Sequence, residues 1–177
     1  MDTDRDTKDR GAATATARED ATDKAKDADR PEPDWTPTPL PPKPRKTTWE
    51  EYRDRVRGWE AHNPLIVHFS DEELHHQWES LGWVAPESVH GVMRARRDWL
   101  EQNRPDEWRR LIREQELMWH LKCREIMYWD LWERLMDENY KAMYRKYPDY
   151  ADMYNIGIPF ARQAATEEAM RRVIFSD

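Results

Sequence analysis

The sequence predicts an all-α fold: an irregular helical bundle around one long aromatic-rich helix, with a disordered, proline-rich N-terminal arm. Three observations carry that prediction. Residues 106–147 contain no glycine or proline and hold four of the ten tryptophans, Trp108, Trp119, Trp129 and Trp132. The segments around them carry helix-start and helix-stop signals with apolar residues at helical spacing. The first 46 residues hold seven of the twelve prolines and no Ile, Val, Phe or Tyr. The chain therefore divides into a mixed-charge tail (1–30), a proline-rich arm (31–46) and a helical domain (47–177), with helices expected over about 49–62, 71–82, 86–103, 106–147 and 161–174.

Residues 1–30 alternate Asp, Lys, Arg, Thr and Ala without apolar periodicity. Such a segment has too little apolar surface to offset a backbone ordering cost of ~1–2 kcal/mol per residue, so a solvated, disordered tail is expected. In the arm, PEPDWTPTPLPPKPRK, the prolines fix φ and remove backbone donors, which imposes extended geometry. Trp35 and Leu40 are its large apolar side chains and the expected anchors of the arm on a neighbouring surface. Pro41, Pro44 and Lys46 also match a minimal PxxP-plus-cation ligand.

The first helix is expected to open on a capping box, Thr48 with Glu51, and to bury Trp49, Tyr52, Val56 and Trp59. Asn63 and Pro64 end it, and Leu65–Phe69 reads as a buried connector. A second capping box, Ser70 with Glu73, opens the next helix, which buries Leu74, Trp78 and Leu81 and stops at Gly82. Pro86 opens the third, whose stripe is Val89, Val92 or Met93, Arg96, Trp99 and Leu100. The second and third helices outline a helix-turn-helix, made basic by Arg94, Arg96 and Arg97.

The long helix, 106–147, presents two faces. Leu117, Met118, Leu121, Tyr128, Trp129, Trp132, Leu135, Met136 and Met143 form a broad stripe suited to the protein's own core. Ile112, Trp119 and Ile126 lie seven residues apart on another side, a coiled-coil-like seam flanked by Trp108. Pro148 ends the helix. The last helix carries Ala164, Ala165, Met170, Val173 and Ile174, with Arg171 and Arg172 placed to complement its C-terminal dipole.

The patterns that point to chemistry have plainer explanations. Glu-x-x-His occurs as Glu72 with His75, Glu73 with His76 and Glu87 with His90, and di-metal carboxylate bundles use that spacing, with Glu116 or Glu125 conceivable as further ligands. Those glutamates fall in first helical turns, where acids sit for dipole reasons. His68, His75 and His76 lack a fourth ligand at zinc spacing. Cys123 is the sole cysteine and lies within the long helix, so it forms no internal disulfide and is expected to be a packed side chain. The five glycines do not cluster into a phosphate-binding loop. No catalytic residue, metal or cofactor is expected.

The net charge of −7 falls as −1 on residues 1–46 and −6 on the remainder. An acidic folded part argues against nucleic acid as the main partner, because backbone binding needs a basic face. The second reading, a nucleic-acid-associated protein, rests on helix 86–103 and its neighbours Arg104, Arg109, Arg110 and Arg113, with Trp99 and Trp108 available for stacking. Asp98, Glu101, Asp106, Glu107 and Glu114 interrupt that region. The richest apolar window, 117–135, contains six charged residues, so no membrane span is expected. The opening residues lack the apolar run of a secretory leader, and an intracellular, soluble or complex-embedded protein is expected.

The leading expectation is a non-enzymatic structural or adaptor subunit of a larger assembly, binding other protein subunits or a second copy of itself. Ten tryptophans and seven tyrosines exceed what a domain of ~130 residues buries, and both residues are enriched in interface hot spots. Trp35 and Leu40 on the arm, with Trp108, Ile112, Trp119 and Ile126 on the long helix, are the expected partner-binding residues. The third reading is a di-metal carboxylate bundle.

Overall fold

A computed structural model describes residues 36–63, 65 and 68–176. The expectations for residues 1–35, Trp35 included, lie outside the described residues. Among the described residues the fold is all-α, without a strand. Six helices follow one another: α1 (Trp49–Ala61), α2 (Asp71–Glu79), α3 (Gly91–Asn103), α4 (Pro105–Arg113), α5 (Leu117–Lys146) and α6 (Ile158–Ala169). A 3₁₀ turn (Pro86–Ser88), a helical turn (Tyr150–Asp152) and two π-helical segments (Met153–Gly157 and Met170–Ile174) complete the order.

Both capping boxes form. Thr48 and Ser70 each accept the amide of the glutamate three residues on, and Glu51 and Glu73 return the bond to the cap backbone. α1 and α2 pack on each other through Tyr52, whose hydroxyl donates to Gln77 Oε1 at 3.0 Å, and through Leu74, which is fully buried. The Glu60 carboxylate ties off the loop between them: it is buried, accepts the Phe69 amide at 2.9 Å and pairs with Arg57 at 2.7 Å. The Phe69 amide and then Arg57 hold its carboxyl below the usual range. Within that loop Leu65 is fully exposed, contrary to a buried connector.

Three expected boundaries change. Helix 71–82 ends at Glu79, and Gly82 is not a left-handed cap but a point of close approach. A Cβ there would lie 2.0 Å from the carbonyl oxygen of Ile112, so only glycine lets this loop touch the end of α4. Helix 86–103 is a 3₁₀ turn, then Val89 and His90 in extended conformation, then α3 from Gly91 at φ +53°, a left-handed value that favours glycine. The helix-turn-helix outline is overturned with it: α2 packs on α1, while α3 packs on α4 and α5. The last helix begins earlier than 161, because Pro159 lies in the first turn of α6, where a missing N–H is tolerated.

The largest change is in the long helix. It is two helices, α4 and α5, separated at Glu114–Glu116. Gln115 adopts φ +57°, its amide bonds to Ile112 C=O at 2.9 Å, and the Glu116 amide reaches Leu111 C=O at 2.8 Å. Those two bonds make a Schellman turn, the usual helix terminator, with glutamine in the place usually held by glycine. The turn breaks the seven-residue line from Ile112 to Trp119, so no continuous coiled-coil seam exists.

α5 remains the spine, 30 residues and about 45 Å long. At its N-terminal half, Leu117 and Leu121 join Val84, Val89, Leu100, Trp108 and Leu111 in one core cluster. Further along, Tyr128 packs with Ala169, Val173 and Ile174, supported by Val92, Ala95, Leu131, Trp132 and Leu135. α6 presents Ala161, Ala165 and Ala169, all fully buried, to α5. Four-residue spacing puts these small side chains in one row, which lets two helices approach closely.

Candidate functional site

The centre of the second stripe, Trp119, is covered by the chain's own arm. Residues 37–48 lack helix or strand, and their contacts run antiparallel to α5, from Thr38 on Asp130 to Pro41 on Trp119 and Thr47 on Gln115. Thr38 donates its amide and hydroxyl to the two oxygens of Asp130, at 2.8 and 2.6 Å. The Trp119 indole N–H donates to the Pro41 carbonyl at 2.8 Å. Lys43 lies 2.7 Å from Glu116 and 5.9 Å over the Trp119 ring. Lys46 pairs with Glu114 at 3.5 Å and sits 5.6 Å over the Trp78 ring. At the end of the arm Thr47 is gripped three ways: its amide donates to Gln115 Oε1 at 2.9 Å, and its carbonyl accepts from Gln115 Nε2 at 3.2 Å and Trp78 Nε1 at 2.8 Å. The chemistry is that of polyproline recognition, an indole donor to a proline carbonyl with acids waiting for flanking cations.

The expected partner-binding residues therefore separate. Trp108 is 8% exposed, packs in the first core cluster and carries the Arg97 guanidinium 5.1 Å over its ring, which makes it part of the chain's own core. Ile112 is half-buried against the same cluster. Trp119 holds the arm, Ile126 is half-buried on α5, and Leu40 sits in the arm half exposed. Sequence reasoning did not assign Glu114, Gln115, Glu116 and Asp130 to the polar half of the trough, because single polar residues in so charged a stretch carry no signal of their own.

Two of the three arginines of the basic helix, Arg96 and Arg97, face inward, and Arg94 is exposed. Arg96, 2% exposed, donates to the carbonyls of Ile174 (2.8 Å) and Ser176 (2.7 Å) and lies 4.6 Å over the Trp99 ring. Arg124 donates to Val173 C=O at 3.1 Å and to Ser176 Oγ at 3.2 Å. Two guanidiniums thus satisfy carbonyls left open at the C-terminal end of the last helical run, where the dipole favours cations. Burial lowers the Arg96 pKa to about 10, which leaves it charged at neutral pH. His120 accepts from Arg96 at 3.3 Å; burial first, then Arg96 and Arg124, push its pKa down to about 4, so the ring is neutral. Arg97, also buried, donates to Val84 C=O at 2.9 Å and pairs with Asp98 and Glu101. Arg94 pairs with Asp98, Arg109 with Asp106, Arg110 with Glu107 and Glu116, and Arg113 with Glu114. These side chains neutralise their own helices instead of forming a basic face.

Among the described residues no three His, Cys, Asp or Glu side chains converge as metal ligands. His75 packs with Trp49 and Trp78 in a triangle of tilted rings, at 5.0 and 5.3 Å. Cys123 is buried, and burial pushes its thiol pKa up, away from nucleophilic chemistry. Among the described residues no helix is long and apolar enough to cross a membrane.

A second face stays open. On α5, Trp129, Tyr140 and Tyr144 are exposed, and Tyr150, Tyr154, Ile156 and Phe160 follow on the next helical run. Tyr144 is 57% exposed and Tyr150 82%. The Tyr150 and Tyr154 rings stack at 6.2 Å, and Trp129 is braced edge-on by Tyr128 (5.0 Å) and Trp132 (5.7 Å). Trp132 is fixed in turn by its indole bond to Thr166 Oγ1 at 3.0 Å. An open groove of about 650 Å³, lined by Tyr154, Ile158, Pro159, Arg162 and Thr166, lies along this helical run. The four-residue spacing of Tyr140 with Tyr144 and of Tyr150 with Tyr154 is the sequence signal that marks it.

No protein-family model, curated protein or solved structure matches the chain.

Proposed function

We propose that this protein is a non-enzymatic structural or adaptor subunit of a larger protein assembly, and that the α5–α6 hairpin is the face it offers to other subunits. One observation supports this above the rest. With Trp119 covered by the arm, Trp129, Tyr140 and Tyr144 still stand exposed along α5, and Tyr150, Tyr154 and Phe160 on the helical run that follows it. Tyrosine and tryptophan held rigid by neighbouring rings give large contact area at low entropic cost, which is why they dominate interface hot spots. The binding residues of this reading are Trp129, Tyr140, Tyr144, Tyr150, Tyr154 and Phe160, in place of Trp108 and Ile112.

The test is recovery of tagged full-length protein from its native source, followed by size and composition of what comes with it. A stoichiometric partner, or a discrete oligomer, is expected, and the double variant Tyr144→Glu/Tyr154→Glu should lose it while keeping its helical circular dichroism and melting temperature. A monodisperse monomer, with the same companions in wild type and variant, overturns the reading.

A further inference from the structure

We propose that the trough along α5 built by Trp119, Gln115, Glu114, Glu116 and Asp130 is a recognition site for proline-rich, lysine-bearing segments of a partner protein, and that the chain's own arm is its resident competitor. The contacts define the ligand. Asp130 reads an amide and a hydroxyl, Trp119 reads a proline carbonyl three residues later, and Glu116 and Glu114 take lysines two and five residues beyond that proline. This inference concerns a face distinct from the exposed aromatics and does not depend on them.

Three features favour exchange over permanent closure. No arm residue belongs to either core cluster, so release leaves the helical core intact. The attachment is uneven: Thr47 has three hydrogen bonds, while the far end rests on Thr38 and Asp130 at the exposed surface, and the Lys43 side chain is 56% exposed. The fit is incomplete: Leu40 is half exposed, and Lys46 stands 3.5 Å from its carboxylate. An arm tethered at one end needs only weak contacts to stay bound, because its effective concentration is of millimolar order. A partner segment with a better-filled Leu40 position and closer cations then displaces it, and a proline-rich ligand loses little entropy on binding.

The experiment uses the full chain and a fluorescent synthetic peptide of residues 36–47, TPTPLPPKPRKT. The arm is weakened in place by Thr38→Ala/Lys43→Glu/Lys46→Glu, and hydrogen exchange of residues 37–47 verifies its release. The expected result is peptide binding at least tenfold tighter than to wild type, lost again by at least tenfold on adding Trp119→Leu. Should Trp119→Leu disturb the fold, Asp130→Ala replaces it as a surface variant with the same expected direction. A released arm with no gain in peptide binding overturns the proposal, as does binding that survives the loss of Trp119 and Asp130. A concentration-dependent dimer of wild type that the peptide dissolves overturns the choice of a foreign segment in favour of the arm of a second copy.

Discussion

At the scale of residues, His120 shows how a buried group reports on the fold. It sits between Arg96 and Arg124, and its pKa of about 4 lies below the ordinary value of 6.5. The unfolded chain therefore takes up a proton on acidification before the folded chain does. Stability is fully present above pH ~6.5 and declines as pH falls toward ~4, by up to roughly 3 kcal/mol from this residue. Urea melts at pH 7 and pH 4.5 measure the loss, and His120→Gln should remove most of the difference. The motif-level reading of the histidines did not reach this role, because what lowers the pKa is first the burial that tertiary packing imposes and then Arg96 of α3, 24 residues away, with Arg124 adding to it from α5 itself.

At the scale of elements, the capping boxes of α1 and α2 were legible because their partners are three residues apart. The break between α4 and α5 was not. Arg113, Glu114, Gln115, Glu116 and Leu117 are all good helix formers, and a Schellman turn normally announces itself with glycine. Placing Gln115 at φ +57° costs on the order of 1–2 kcal/mol, offset by the two hydrogen bonds its amide makes to Thr47. Gln115→Gly should therefore leave global stability within about 1 kcal/mol of wild type while freeing the Thr47 amide, whose hydrogen exchange should accelerate at least tenfold. The same tertiary cause hid the candidate site. The heptad line of Ile112, Trp119 and Ile126 announced an extra contact, but a partner helix and a polyproline strap leave the same apolar trace. Pairings between residues far apart in sequence, such as Thr38 with Asp130 and Pro41 with Trp119, distinguish them.

At the scale of the whole molecule, the core is lopsided. The buried leucines of the first cluster lie around the N-terminal half of α5 and the second cluster reaches Leu135, whereas residues 140–146 are exposed apart from Met143. Local opening follows burial. Hydrogen exchange should be slowest for Leu117–Tyr128 and at least a hundredfold faster for residues 140–157, measured under native conditions by mass spectrometry; a partner seated on the exposed tyrosines should slow the second set and leave the first unchanged. The arm adds a constraint of another kind. Its groups and those of the trough are complementary: a hydroxyl for Asp130, a lysine for Glu116, the Thr47 main chain for Gln115. Substitutions in distant parts of the gene are therefore expected to be coupled: a change at Thr38 should relax the demand for a carboxylate at 130, and a charge reversal at Lys43 should be tolerated best with one at Glu116, so that the strap and its bed would drift through evolution as a single inherited unit.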